Sequence, residues 1–184
     1  MAILSVHFDG EWHHGTNMDE AARLVARVFD GEELGGGVEE TGSVGVNVWF
    51  CLSEQPHTDT NPVADNHLRV AINASTGFGA LVWGLTMRSP RKGGIYDSVW
   101  ISDNPEPPNF DPVLVSDPGY PLFHDRSSAL PIRLVREAVE EFCRVGTGDR
   151  PECVEWVAGH FNGQRVDRDS IVDTVDGFDD DCPF

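Results

Sequence analysis

Residues 67–73, HLRVAIN, alternate cleanly, with Leu68, Val70 and Ile72 on one face and mixed residues on the other. A period of two marks a strand with one buried face. Three further segments read as strands: VGVNVWFCL (44–52), FGALVWGLT (78–86) and DSVWISD (97–103). The turns STG and SPRKGG separate the last two from what precedes them, and this close spacing predicts an antiparallel meander. AILSVHF (2–8) is a further strand, with EWHHGTN reading as the turn after it. PVLVSD (112–117) adds an edge strand and CVEWVA (153–158) a last short one.

Two segments change to a helical period. Ala21, Leu24, Val25 and Val28 fall on one helix face within 18–29. Asn17 is placed as N-cap, with Glu20 three residues on. In ALPIRLVREAVEEFCRVG, Ile132, Val135, Val139 and Phe142 form an apolar stripe. Pro131 reads as a first-turn proline and Gly146 as the C-terminal stop.

The segments between are loops. Residues 30–43 are rich in glycine and glutamate, and 53–66 hold prolines among Asp, Thr and Asn. Residues 104–112 hold four prolines and fit neither a helix nor a central strand. PGYPLFHDRSS reads as irregular. No internal repeat is visible. The expected architecture is α+β: a mostly antiparallel sheet of about five or six strands packed against two helices, by segment count. Residues 1–166 are expected to form one domain, and 167–184, acidic and mostly polar, a loosely held tail.

Charge narrows the choice of partner. Thirty-one Asp and Glu stand against thirteen Lys and Arg, a formal net charge of −18. Such a surface repels nucleic acid and anionic membranes, and it speeds docking of basic proteins. The N-terminus lacks a basic leader and no run of 18 apolar residues occurs. Cys51, Cys143, Cys153 and Cys182 form no close pair, so reduced thiols in the cytoplasm are expected.

Candidate chemistry is sparse. Cys153 stands between Glu152 and Glu155, which raise a thiol pKa rather than lower it. RPECVEW echoes a deaminase zinc signature but lacks its second cysteine and the upstream HxE. His13 and His14 are adjacent, so they point to opposite faces of a strand, and the other histidines lie on separate elements. A zinc shell needs three or four converging ligands. The glycines of ELGGGVEETG sit among glutamates that would repel phosphate, and no GxSxG occurs. No metal or cofactor is expected, and no catalytic residue is assigned.

From residue 97 onward the order of motifs is distinctive: a Pro- and Asp-rich loop, ALP opening a helix, REAVEEF, a Gly-rich turn, then RPECVEW. An N-terminal strand followed by HHGT and a DEAARLV helix adds to it. The chain resembles immunity protein family 1 of bacterial polymorphic toxin systems, most closely over 128–156 and weakly over 30–96. The resemblance implies an α+β protein without catalysis that binds and neutralises a cognate toxin, often a nucleic-acid deaminase. Such a toxin carries a basic substrate groove, which an acidic surface would block. Trp100, Asp103, Glu106, Asp111 and Asp117, in and beside the Pro-rich loop, and Glu155 on the last strand are the candidate partner contacts. Val154 and Trp156 are expected to pack against the helices, and Arg150 to pair with a carboxylate. Two other readings stand beside this one. They are a non-catalytic regulatory or scaffold module, and a small hydrolase using His13 and His14.

Overall fold

The computed structural model describes residues 2–30, 45–117 and 122–168. The Gly-rich loop over 31–43 and the tail from 169 onward lie outside the described residues. The sheet is built from β1 (Ile3–Phe8), β2 (Glu11–Gly15), β3 (Val46–Ser53), β4 (Asn66–Asn73), β5 (Phe78–Leu85), β6 (Val99–Asp103) and β10 (Glu155–Gly159). Their spatial order is β10-β6-β5-β4-β3-β1-β2, and every pairing is antiparallel. A two-residue β9 (Leu130–Pro131) pairs with the start of β5, while β7 (Val115–Asp117) and β8 (Leu122–Phe123) form a separate ribbon. The helices are α1 (Met18–Asp30) and α2 (Ile132–Val145).

The α+β architecture and the β3–β6 meander match the periodicity, but the sheet has eight strands rather than five or six. Two of the eight are not among the predicted strands: β9, which lies in the stretch read as the start of a helix, and EWHHG. EWHHG reads as a turn because its residues are polar and aromatic, yet it pairs with β1 from Leu4↔Gly15 to Phe8↔Glu11. The tight bend that allows this is Asp9–Gly10, both at positive φ. Pro131 is also one position off: its extended backbone (ψ 138) makes it the N-cap, and α2 opens at Ile132. Asn17 caps α1 as expected, while Glu20 reaches back past it to Thr16. The Asn17 side chain accepts the Glu20 N–H at 3.0 Å, and the Glu20 carboxylate accepts the Thr16 N–H at 2.7 Å.

One sheet face carries Leu4, Val6, Phe8, Val48, Phe50, Leu52, Leu68, Val70, Ile72, Leu81 and Trp83. Both helices lay Val25, Val28, Val135, Val139 and Phe142 against it. Val154 and Trp156 are partly buried against this core, as their alternation implied. The Trp83 indole N–H donates to the Gly148 carbonyl at 3.1 Å, which ties the turn after α2 to the sheet. Arg91 reinforces it by bridging Asp65 at 2.7 Å and Asp149 at 2.9 Å.

The other face is covered by extended chain rather than helices. The Asn73 side chain donates to the Pro112 and Val113 carbonyls at 2.9 and 3.2 Å, and Asn47 donates to Val115. Leu114 is buried between Ala80 and Ala129.

Gly148 shows how closely the turn is fitted. Its φ is +75°, and a Cβ there would stand 2.5 Å from the Asn66 side chain. Asn66 is buried and bonds both the N–H and the carbonyl of Leu52. Gly148→Ala is expected to cost about 1–3 kcal/mol, from backbone strain plus displacement of Asn66. Urea denaturation checks this; an unchanged midpoint would contradict it.

Candidate functional site

β10 is the last strand at one end of the sheet. Its register with β6 sets Glu155 directly opposite Asp103. Residues paired across strands share a face, so two carboxylates stand side by side there. Like charges in this position destabilise a sheet. Arg165 relieves half of the pair. Its side chain is 4% exposed and reaches Asp103 at 2.7 Å through Nη1, while Nε and Nη2 grip Asp167 at 2.8 and 2.9 Å. These bonds, Asp167 foremost, raise the Arg165 pKa above its ordinary value. Glu155 is exposed.

The candidate contacts thus fall into separate groups. Asp103 and Glu155 meet. Glu106 is exposed at the foot of the same loop, which Asn104 pins by donating to the Ala129 carbonyl at 2.6 Å. Asp111 has a structural task. It accepts the Val113 N–H at 2.8 Å and so holds a β-branched residue at φ 51, where such residues are rare. It also lines a cleft of about 420 Å³ that contains Arg165. Asp117 ends β7 and acts on Arg69, beneath the ribbon.

Trp100 faces the other way, with the helix-side core. It is partly buried, and its indole N–H donates to the Ile95 carbonyl at 2.7 Å. The Arg150 guanidinium lies over it at 4.3 Å and over Trp156 at 5.7 Å. Arg150 therefore stacks on two indoles, and no carboxylate among the described residues pairs with it; Glu152 and Glu155 act on it through space. Stacking accommodates a guanidinium because it is planar and weakly hydrated.

Sequence reasoning missed Arg165. It is one arginine in the stretch FNGQRVD, and its partner Asp103 lies 62 residues away. No local period could announce that contact.

The residues weighed for chemistry are held apart. His13 and His14 lie on β2 and take opposite faces, as alternation requires. His13 packs on Phe8 at 4.4 Å, and His14 bonds the Ser5 hydroxyl at 3.0 Å. Ser5 is fully buried, and its hydroxyl also accepts the His57 N–H. Burial lowers the His14 pKa, with His13 adding to it. Cys153 is pushed up to about 12 by burial and by the neighbouring Glu141. That carboxylate also accepts the N–H groups of Glu152 and Cys153, so it clamps the turn. Among the described residues, no cluster of three or more His, Cys, Asp or Glu is placed to hold a metal ion. No helix among them is long and apolar enough to cross a membrane.

The family profile described as "Immunity protein Imm1" matches residues 17–158. The chain belongs to the Imm1 immunity protein family. The match runs from the N-cap of α1 into β10, so it spans both helices and the Asp103–Glu155 ladder. No curated protein and no solved structure matches the chain. As an Imm1 protein it has the role of binding a cognate toxin protein. The family points to a non-enzymatic role.

Proposed function

We propose that this Imm1 protein neutralises its toxin by docking the acidic β6–β10 edge into a basic groove. Glu155, Asp103 and Glu106 lead the contact. The toxin domain acts on nucleic acid, and a nucleic-acid deaminase is the class favoured by the family resemblance. The observation that carries the proposal is the Glu155–Asp103 pair. A like-charged pair across a ladder weakens the sheet, and a basic partner would turn that cost into attraction. The net charge of −18 works in the same direction at longer range. Ten of the 31 acids, and none of the 13 Lys and Arg, lie in 31–44 and 169–184. Those two segments carry negative charge alone.

The expected complex is one-to-one and nanomolar or tighter, with association that slows steeply as salt rises. In Glu106→Lys/Glu155→Lys, the association rate constant at low salt should fall about tenfold or more, and the difference should shrink at high salt. Folding stability should not fall, because both side chains are exposed and Glu155→Lys removes the like-charged pair with Asp103. Stopped-flow mixing with the purified toxin domain reads these rates. Equal rates for wild type and variant would remove the edge from the interface. A neutralised toxin with no action on DNA or RNA would overturn the nucleic-acid assignment and leave the immunity role standing.

A further inference from the structure

The sheet face away from the helices holds a cavity of about 370 Å³, lined by Trp49, His67, Arg69, Val82, Thr86 and Phe161. The strand registers build its floor. Trp49 pairs with Arg69, and Arg69 with Val82, so the three stand in one row across β3, β4 and β5. His67 pairs with Gly84 in the next row. Gly84 lets Phe161 lie directly on the sheet, since a Cβ there would come 2.8 Å from the ring. Phe161 is thus one wall, and it is 49% exposed.

Arg69 is out of place in such a row. Its Nε and Nη2 are shut off from solvent with no hydrogen-bond partner among the described residues. Asp117 acts on it through space. Buried donors are nearly always paired, and an unpaired guanidinium is costly. The remaining walls are largely apolar and offer it no carboxylate. The volume falls within the range of about 300–1,000 Å³ usual for small-ligand pockets.

We infer that this cavity is a binding site, separate from the acidic edge, for a carboxylate carried on an apolar or aromatic body. The carboxylate meets the positive charge of the Arg69 guanidinium across the cavity floor, while Nε and Nη2 stay enclosed by protein. The apolar body lies between Trp49 and Phe161. A highly charged anion such as phosphate is disfavoured, because the chain's charge of −18 repels it and the walls offer it little hydration. Burial of an apolar body supplies the free energy that overcomes that repulsion.

The probe is 3-phenylpropionate, titrated into the purified chain against its amide while NMR follows the Trp49 and Phe161 ring signals. The acid should saturate and the amide should not. Arg69→Met should weaken the acid about tenfold or more, and Arg69→Lys by less. Phe161→Ala alters an exposed side chain and should also weaken it. If the arginine variants fail to fold, the acid–amide comparison and Phe161→Ala decide alone. Equal binding of acid and amide, or no saturation by either, overturns the site. An N-acetylated peptide ending in a free Phe carboxylate tells the sources apart. Tighter binding than the free acid means a protein chain terminus, and weaker binding means a small acid. No toxin is needed, so either result leaves the toxin-binding proposal untouched.

Discussion

Trp83→Ala will leave the protein largely unfolded at 37 °C. Trp83 is fully buried at the centre of the helix-side core. Truncating a buried Trp costs about 3–5 kcal/mol. The Gly148 carbonyl also loses its donor, which adds about 1–3 kcal/mol. Together these approach the whole stability of a typical domain, about 5–15 kcal/mol. Damage should spread to the turn after α2, because Tyr96 packs on Trp83 at 6.4 Å and bonds Asp149 at 3.0 Å. Trp83→Phe keeps most of the volume and should lose much less. Thermal melts followed by circular dichroism compare the two. A Trp83→Ala melt within a few degrees of wild type would refute this account of the core.

The second large effect is acid lability above the range where carboxylates titrate. His124 is fully enclosed, and burial together with Arg69 holds its pKa near 3 despite the nearby Gly163 backbone, which works in the other direction. His67 is held near 4 by burial and by His57. Both folded-state values lie below the ordinary 6.5, so the unfolded chain binds these protons first. Stability is therefore full above pH 6.5 and falls as pH drops toward 4. His124 contributes a slope of up to about 1.4 kcal/mol per pH unit in that window. His67 adds a smaller slope, since it borders an open cavity. Below pH 4 the carboxylates with lowered pKa, Asp65 and Glu141 among them, add their own losses. Urea midpoints at pH 7, 6 and 5 measure the slope. His124→Gln should flatten it by about one proton whatever its own stability. A flat profile in the wild type from pH 7 to 5 would contradict the burial of both rings.

The same features show what was legible beforehand. The α+β class followed from periodicity, because alternation over β4 and the stripe on α2 report burial directly. The caps at Asn17 and Gly146 were legible because capping is local chemistry. EWHHG was not. Its polar and aromatic residues give no alternation, and only β1 beside it makes it a strand.

The candidate site divides in the same way. Sequence by itself determined the acidic surplus, the lack of any local catalytic signature, and the family resemblance carried by ALP, REAVEEF and RPECVEW. Only tertiary structure decided which acids meet. Asp103 and Glu155 are 52 positions apart and become neighbours through one antiparallel register. Trp100, three residues from Asp103, turns to the opposite face through the pleat of the strand. Arg69 reads as an ordinary polar residue in HLRVAIN, and it becomes a half-buried cation with two enclosed, unpartnered nitrogens only because Trp49 and Val82 flank it from two other strands. Hydrophobic period is a property of the single chain, whereas pairing between distant side chains depends on strand order and register, which no local pattern encodes.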